Sequence, residues 1–313
     1  MSDLLMLLAE GKSFSRPKLT ALLGLNDEQL VQQIEELQQR GIRLDTENGQ
    51  VCLIPQLQRL NNDYLSRELA PYHVQVKTVI DSTNQYLLEN ITRLNKGDLC
   101  LAEHQLAGRG RRGRQWLSPF AGQVILSFYW TFDAKKSIEG LSLAVGMAIA
   151  DTLRKAGAWV YLKWPNDILL NGRKLAGILI EMANTKNGLL NLVVGVGINL
   201  SLPKQENHID QPWAELIEVL PELDRNQLIV QLVKNIYAYL EQFEQEGVSV
   251  EFRQKWLELD YLFGEEVNVI TEKQVISGIE QGVDEQGYLQ LIVNNGEQWL
   301  KFNGGEVSLR KKQ

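Results

Sequence analysis

Histidine and cysteine are scarce in this chain. There are three histidines and two cysteines among 313 residues. His73, His104 and His208 stand far apart, and no pair has the close spacing that zinc ligands show. Cys52 and Cys100 sit in apolar, strand-like segments and read as small buried residues, not as a disulfide or a nucleophile. Basic charge is not in excess either: the net charge is −7. That argues against a protein whose main work is to coat nucleic acid or an anionic membrane. No apolar run reaches the length of a membrane span, and the first residues, MSDLLMLLAEGKS, have no basic leader region. The expectation is a soluble, cytoplasmic chain with no membrane partner. Internal repeats and low-complexity linkers are also missing.

What is present is an ordinary globular composition, 44% apolar and 23% charged, in a chain long enough for two or three domains. Residues 1–60 predict a small helical domain. A helix covers residues 4–9, and a second begins after Ser15 with Pro17 in its first turn and ends at Gly24. A third, capped by Asn26 or Asp27, carries Leu30, Val31, Ile34 and Leu37 at helical spacing and stops at Gly41. The segment IRLDTENGQVCLI then predicts a β-hairpin around Asn48-Gly49. Three helices and a hairpin are the order of a winged helix-turn-helix.

Residues 61–258 alternate strands with helices, and several neighbouring strands are joined by short turns. This predicts an α+β domain with a mostly antiparallel or mixed sheet rather than repeated βαβ units. Residues 259–313 hold five short strands (EEVNVI, QVISGIEQGV, GYLQLIVNN, EQWLKFN, GEVSLR), the pattern of a small SH3-type barrel.

Residues 108–113 read GRGRRG and fit the dinucleotide fingerprint letter for letter. The context does not fit. A Rossmann loop must open a helix, because the pyrophosphate rests on that helix N-terminus. Here RQWLSPFAGQ follows, with Pro119 and Gly122, and then another strand. What remains is a glycine-rich loop bearing Arg109, Arg111, Arg112 and Arg114. Guanidinium groups bind phosphates in forked, charge-assisted pairs, so the loop suits a triphosphate or a mixed anhydride, or else is a solvated basic loop. KWPND (163–167) ends a strand in a tight turn, and Lys174 opens the next strand shortly before the small residues Ala176 and Gly177. DSTN (81–84) stands at a strand-to-helix junction, where it serves as an N-cap or presents hydroxyls to a ligand.

Taken together, DSTNQYL, AEHQLAGRGRRGRQWLSPFAG, KWPNDI, RKLAGILIE, GVGINL and GGEVSLR resemble the biotin–protein ligases. More narrowly they resemble the bifunctional bacterial members, which double as biotin-operon repressors. The likeness spans nearly the whole chain and is strongest from about 78 to 200. It implies a winged helix-turn-helix, a class II synthetase-like ligase domain with a mixed sheet, and an SH3-like C-terminal barrel. It implies ATP and biotin as substrates with Mg2+, and biotinyl-5′-AMP as the intermediate. Biotin then passes to a lysine of the biotin carboxyl carrier protein of acetyl-CoA carboxylase. A ligand-promoted homodimer and operator DNA are the further partners implied.

The site carries over by matching positions. Ser82, Thr83, Asn84 and Gln105 match the biotin site, closed over by Gly108, Arg109 and Gly110. Arg111 matches the catalytic loop arginine on the adenylate, with Arg112 and Arg114 beside it for phosphates. Lys174 matches the catalytic lysine at the reacting carboxylate, and Gly177 and Leu179 line the biotin pocket. Asn166 and Asp167 serve the nucleotide, Asp167 being the candidate for the metal; Asn199 and Trp213 lie on the nucleotide side. Trp116, Phe120 and Trp164 are read as core or pocket wall.

Two departures stand out. His104 replaces a Tyr beside Gln105. The third helix, residues 26–40, holds Asp27, Glu28, Glu35 and Glu36 against Arg40 alone, where a DNA-reading helix is rich in Lys, Arg, Ser and Asn. A lipoate–protein ligase and a non-catalytic, biotin-responsive regulator are the competing readings.

Overall fold

A computed structural model describes residues 3–8, 12–39, 42–54, 58–202, 212–271, 273–305 and 307–312. Ala9, Arg40, Gly41 and His208, which the sequence reading used, lie outside the described residues.

The N-terminal elements are α1 (Asp3–Leu8), β1 (Phe14–Ser15), α2 (Arg16–Leu23), α3 (Asp27–Gln39), β2 (Leu44–Asp45) and β3 (Gln50–Leu53). Gly24 closes α2 at φ 65°, a conformation that favours glycine. Asn26 caps α3 reciprocally: its Oδ1 accepts from the Gln29 amide at 2.8 Å, and Gln29 Oε1 accepts from the Asn26 amide at 2.9 Å. Leu30, Ile34 and Leu37 are buried, but Val31 is exposed, so the apolar stripe is narrower than its spacing suggested. The β2–β3 hairpin forms, with Asn48 and Gly49 at positive φ. β1 adds a third strand beside β3 (Phe14 opposite Val51). The core of this unit includes Phe120 and Ala121 from the segment that follows the arginine loop.

The central region runs α4 (Asn62–Glu68), β4 (Val74–Ile80), α5 (Thr83–Glu89), β5 (Leu99–Gln105), β6 (Gln123–Asp133), α6 (Leu141–Lys155), β7 (Val160–Lys163) and β8 (Asp167–Leu170). β9 (Arg173–Lys186), β10 (Leu189–Asn199), α7 (Arg225–Glu246) and α8 (Val250–Leu259) complete it. Its seven strands are ordered β4-β5-β6-β10-β9-β8-β7. β4 and β5 are parallel, joined through α5; the other neighbours are antiparallel, giving the mixed sheet expected. Val124, Leu126, Phe128, Trp130 and Phe132 of β6 point into the main core with α6 and α7. Ile125 and Ser127, of opposite parity, face a cavity on the other side. β6 is therefore buried on both faces, which is why VILSFYWTF shows no clean alternation.

The last region holds β11 (Glu266–Ile270), β12 (Val275–Val283), β13 (Leu289–Val293), β14 (Gln298–Phe302) and β15 (Ser308–Lys311), an antiparallel sheet ordered β14-β13-β12-β11-β15. It joins the central region where Trp164 Nε1 donates to the Gly287 carbonyl at 3.2 Å and where Tyr261 N donates to the Leu162 carbonyl at 2.8 Å. Cys100 is buried as expected. Cys52 is only half-buried, because it alternates with the buried Val51 and Leu53 and so lies on the opposite face of β3.

Candidate active site

Every site residue read from the sequence lines one cavity of about 750 Å3 on the sheet face opposite α6 and α7. Its floor is made of small residues. At Gly195 a Cβ would come within 2.3 Å of Asn84 Oδ1, and at Gly197 within 2.5 Å of the Trp116 ring. GVGINL thus alternates core residues with backbone that other groups approach closely. Trp116 lies over Gly177 and Gly197 as a wall, its Nε1 donating to Gln123 Oε1 at 3.2 Å. Phe120 and Trp164 are buried, as expected of packing residues.

Lys174 reaches the cavity through a β-bulge. Leu169 pairs with Lys174 and Ile168 with Ala176, so Leu175 is the extra residue and turns into the core. In a regular strand, Lys174 and Gly177, three apart, would face opposite sides; the bulge puts both on the cavity side. The Lys174 backbone is fixed by Pro212 and Ala214, one on each side of Trp213. Asn199 Nδ2 also donates to the Lys174 carbonyl, at 3.4 Å. The Lys174 ammonium meets Asp167 Oδ1 at 2.7 Å, and Lys163 approaches Asp167 Oδ2 at 3.8 Å. Burial pushes the Lys163 ammonium below its usual range, with Asp167 opposing the shift.

The arginine loop folds back as a tight hairpin. Gly110 N donates to the Arg114 carbonyl at 2.7 Å and Trp116 N to the Gly108 carbonyl at 2.9 Å. Arg112 and Gly113 turn the chain at φ 58° and 69°. Arg111 reaches across to Asn166 Oδ1 at 2.8 Å and to the carbonyls of Gly304 and Gly305. Its burial lowers the guanidinium pKa, against the pull of Asp167.

On the other side, α5 begins inside the cavity. Ser82 caps it, accepting from the Gln85 amide at 3.4 Å. The Thr83 amide donates to Gln105 Oε1 at 2.8 Å, and the Thr83 hydroxyl lies 2.7 Å from Ser127 Oγ. Asn84 Oδ1 accepts from Ser127 Oγ at 2.5 Å. His104 points away from this cluster, to the Ser118 carbonyl, and so forms part of the wall behind Gln105.

The electrostatics are one-sided. Among the described lining residues Arg109, Arg111, Arg112, Arg114, Lys163, Lys174 and Arg310 are cationic, and Asp167 is the one carboxylate. Such a cleft favours a polyanion and gathers it from solution. It suits a reaction that builds negative charge on phosphate, where fixed cations stabilise the transition state. Among the described residues no group of three His, Cys, Asp or Glu is placed to hold a metal.

Several participants were not foreseen. Gln123 links Trp116 to Asn199, donating from Nε2 at 2.8 Å. In the sequence Ser127 shows only as a hydroxyl inside an apolar run, and Glu181 only as a charge ending AGILIE. Lys163 stood unassigned inside KWPND, and Arg310 comes from a strand distant in sequence.

The chain is similar to known proteins over both its central and its last regions. Residues 76–199 match the Biotin/lipoate A/B protein ligase family, and residues 262–310 match the Biotin protein ligase C terminal domain. The chain is 41% identical to the Bifunctional ligase/repressor BirA of Salmonella typhimurium, covering 99% of this chain and 97% of that one. It is 32% identical to the Biotin--[acetyl-CoA-carboxylase] ligase of Paracoccus denitrificans, over 70% of this chain and 93% of the relative. Among solved structures, the biotin protein ligase from Aquifex aeolicus in complex with biotin and ATP superposes with TM-score 0.67 at 28% identity, covering 77% of this chain and 99% of that one.

Proposed function

This chain belongs to the biotin/lipoate A/B protein ligase family, and we propose that it is an ATP-dependent biotin–protein ligase working in two steps. A biotin carboxylate oxygen attacks the α-phosphorus of ATP, forming biotinyl-5′-AMP and releasing pyrophosphate. The ε-amine of a lysine on the biotin carboxyl carrier protein of acetyl-CoA carboxylase then attacks the acyl carbon, and AMP leaves. The observation that carries the reading is one cavity whose described lining holds seven cations, one carboxylate and a glycine floor. Its volume falls within the usual range for small-molecule sites.

Roles follow from position. Ser82, Thr83, Asn84 and Gln105 hold the biotin ring system over Gly177 and Leu179, with Gly108, Arg109 and Gly110 as cover. Lys174 stabilises charge where carboxylate and α-phosphate meet. Arg111, Arg112 and Arg114 hold phosphates, Arg111 exchanging its carbonyl partners for ligand oxygens. Asn166, Asn199 and Trp213 serve the nucleotide. Asp167, the one carboxylate among the described lining residues, would supply an oxygen ligand to a Mg2+ ion bound with ATP. When bound, the metal neutralises phosphate charge.

The first 60 residues are read as a winged helix-turn-helix and the last 50 or so as an SH3-like barrel packed on a class II synthetase-like domain. Ligand-promoted dimerisation is supported by the outer half of β9. Beyond Gly177 that strand pairs with β10 alone, leaving an open edge. A second activity, repression at operator DNA, is supported by the names of the full-length relatives. The acidic α3 opposes it, so operator binding is read as weak.

The test is transfer of biotin to a purified carrier domain, followed by mass spectrometry, with lipoate as competitor. A biotin adduct that requires ATP and Mg2+ is expected. Lipoylation instead would overturn the assignment, and ligand binding without ATP–pyrophosphate exchange would make the chain a regulator.

A further inference from the structure

We propose that Glu181 is a positioning residue that makes the ring end of the pocket one proton short, so that it selects a ligand ring carrying an N–H. The inference rests on the biotin-ligase reading.

Glu181 lies on β9, two residues beyond Leu179 and on the same side of the strand, but does not itself line the cavity. Its Oε2 accepts from Asn84 Nδ2 at 2.7 Å and from Arg109 Nη2 at 2.8 Å. An ionised carboxylate only accepts, so it fixes which way the Asn84 amide faces. Nδ2 turns to Glu181, and Oδ1 turns to Ser127 and takes its hydroxyl proton at 2.5 Å. Ser127 Oγ then has only lone pairs for Thr83 Oγ1, 2.7 Å away. Thr83 Oγ1 also lies 3.1 Å from Gln105 Oε1. That oxygen is an acceptor as well, because it receives the Thr83 amide at 2.8 Å while Gln105 Nε2 faces Ser118 Oγ at 3.3 Å.

The consequence is arithmetic. The Ser127–Asn84, Thr83–Ser127 and Thr83–Gln105 contacts need three protons, and two hydroxyls carry two. These side chains are buried, so bulk water does not repair the deficit easily. A ligand N–H fills it; a ring with only carbon and sulfur does not. A ureido ring qualifies, and a dithiolane does not. Glu181 also holds Arg109, whose Nε is buried with no hydrogen-bond partner among the described residues, at the root of the loop.

Glu181→Gln is nearly isosteric and replaces a group that only accepts with one that can also donate, so it relaxes the constraint. The new amide can donate, Asn84 can turn over, and its Nδ2 then supplies the missing proton to Ser127. The experiment measures dissociation constants of biotin, of biotin N-methylated on the ureido ring, and of ATP, for wild type and Glu181→Gln in the full chain. Wild type is expected to bind biotin at least tenfold more tightly than the N-methyl analogue, the size expected when a buried polar group loses its partner. In Glu181→Gln biotin should weaken about tenfold, the preference over the analogue should shrink to within about threefold, and ATP affinity should change less than about twofold. A thermal midpoint close to wild type checks that the variant is folded. Glu181→Ala, which removes the acceptor without a donor, is the second variant and should also lose the preference. Undiminished preference in both variants would overturn the proposal while leaving the ligase reading intact. Absence of biotin binding by wild type would overturn both.

Discussion

The N-terminal unit and the central cavity are built by the same rule inside and by opposite rules outside. Both bury a clean apolar set: Leu4, Leu19, Leu30, Ile34 and Leu37 in one, the even-numbered residues of β6 in the other. The surfaces they present differ in sign. Among the described residues, the cavity gathers seven cations around one carboxylate. Residues 1–60 hold eight acids and six bases, and α3 shows Asp27, Glu28, Glu35 and Glu36 to solvent. Apolar pattern sets the fold, and charge sets the partner; a chain can keep the first while losing the second.

The join between the two regions should give the largest effect. Arg225 and Glu103 form an ion pair with side chains 0% and 2% exposed. Glu103 also accepts from the Leu60 amide at 2.6 Å, and Arg225 donates to the Gln123 carbonyl at 2.7 Å and to the Gln58 carbonyl at 3.5 Å. Arg225→Met leaves a buried carboxylate without its cation, a loss of about 3–5 kcal/mol. The thermal midpoint should fall by many degrees, and the linker at 58–61 should exchange amide hydrogens faster. A midpoint within a degree or two of wild type would mean that the pair is not what ties the linker down.

Lys174→Ala tests the cavity's charge without touching either core. Removing one preorganised donor at a centre of developing charge costs about 10²–10³ in rate. Biotin-dependent ATP–pyrophosphate exchange should fall by that factor while the melting temperature stays near wild type. Near-normal exchange would remove Lys174 from the chemistry.

Much of this was legible because loops and strands carried their chemistry in short contiguous runs. GRGRRG, KWPND and DSTN each sit on one element, so their residues reach the cavity together. What could not be read depends on contacts made at long range or on very short elements. β1 has two residues and no period to detect. α4 depends on Asn61 capping it from outside the apolar pattern, with Oδ1 accepting from Tyr64 N at 3.0 Å. The β9 bulge shows only in the pairing register. Val31 fits the helical spacing of its neighbours but stays exposed. Glu181 sits in a quoted motif, yet its partners come from α5 and the arginine loop, about 70 to 100 residues away in sequence.

A buried acid pair lies outside both surfaces and gives a smaller, pH-dependent effect. Burial raises the Glu280 carboxyl pKa to about 9, helped by the neighbouring Asp260 charge. Asp260 accepts from Trp256 Nε1 at 2.7 Å and from Leu262 N at 3.0 Å, so it is the better placed to stay ionised. The folded-state pKa of Glu280 lies above its unfolded value, so the folded chain binds the proton more tightly. Its contribution therefore favours folding at acid pH and is lost as pH rises from the ordinary carboxylate range towards about 9. Glu280→Gln keeps the donor and removes the titration. Wild type and variant should diverge as pH rises, with the variant more stable at pH 9. Parallel stability curves across that range would show that Glu280 does not titrate there.

The smallest effect, and the sharpest test of the contrast, concerns DNA. Non-specific affinity comes almost wholly from counterions released as Lys and Arg neutralise phosphates, so it tracks the charge of the surface that meets the duplex. On α3 the acids repel the backbone, although Gln29, Gln32 and Gln33 are of the type that reads adenine edges. Gln29 is engaged in the cap with Asn26, and Gln32 donates to Glu36 Oε1 at 3.0 Å. Wild type, with biotinyl-AMP present and salt near physiological, should give little or no mobility shift on the biotin-biosynthesis promoter of its own genome. Glu35→Gln with Glu36→Gln removes two repulsions while leaving the buried residues of the helix untouched. That variant should bind more tightly than wild type, with the gain largest at low salt. A specific nanomolar complex of the wild-type chain would show that the acidic helix faces away from the duplex. The charge difference between the two regions would then say nothing about DNA.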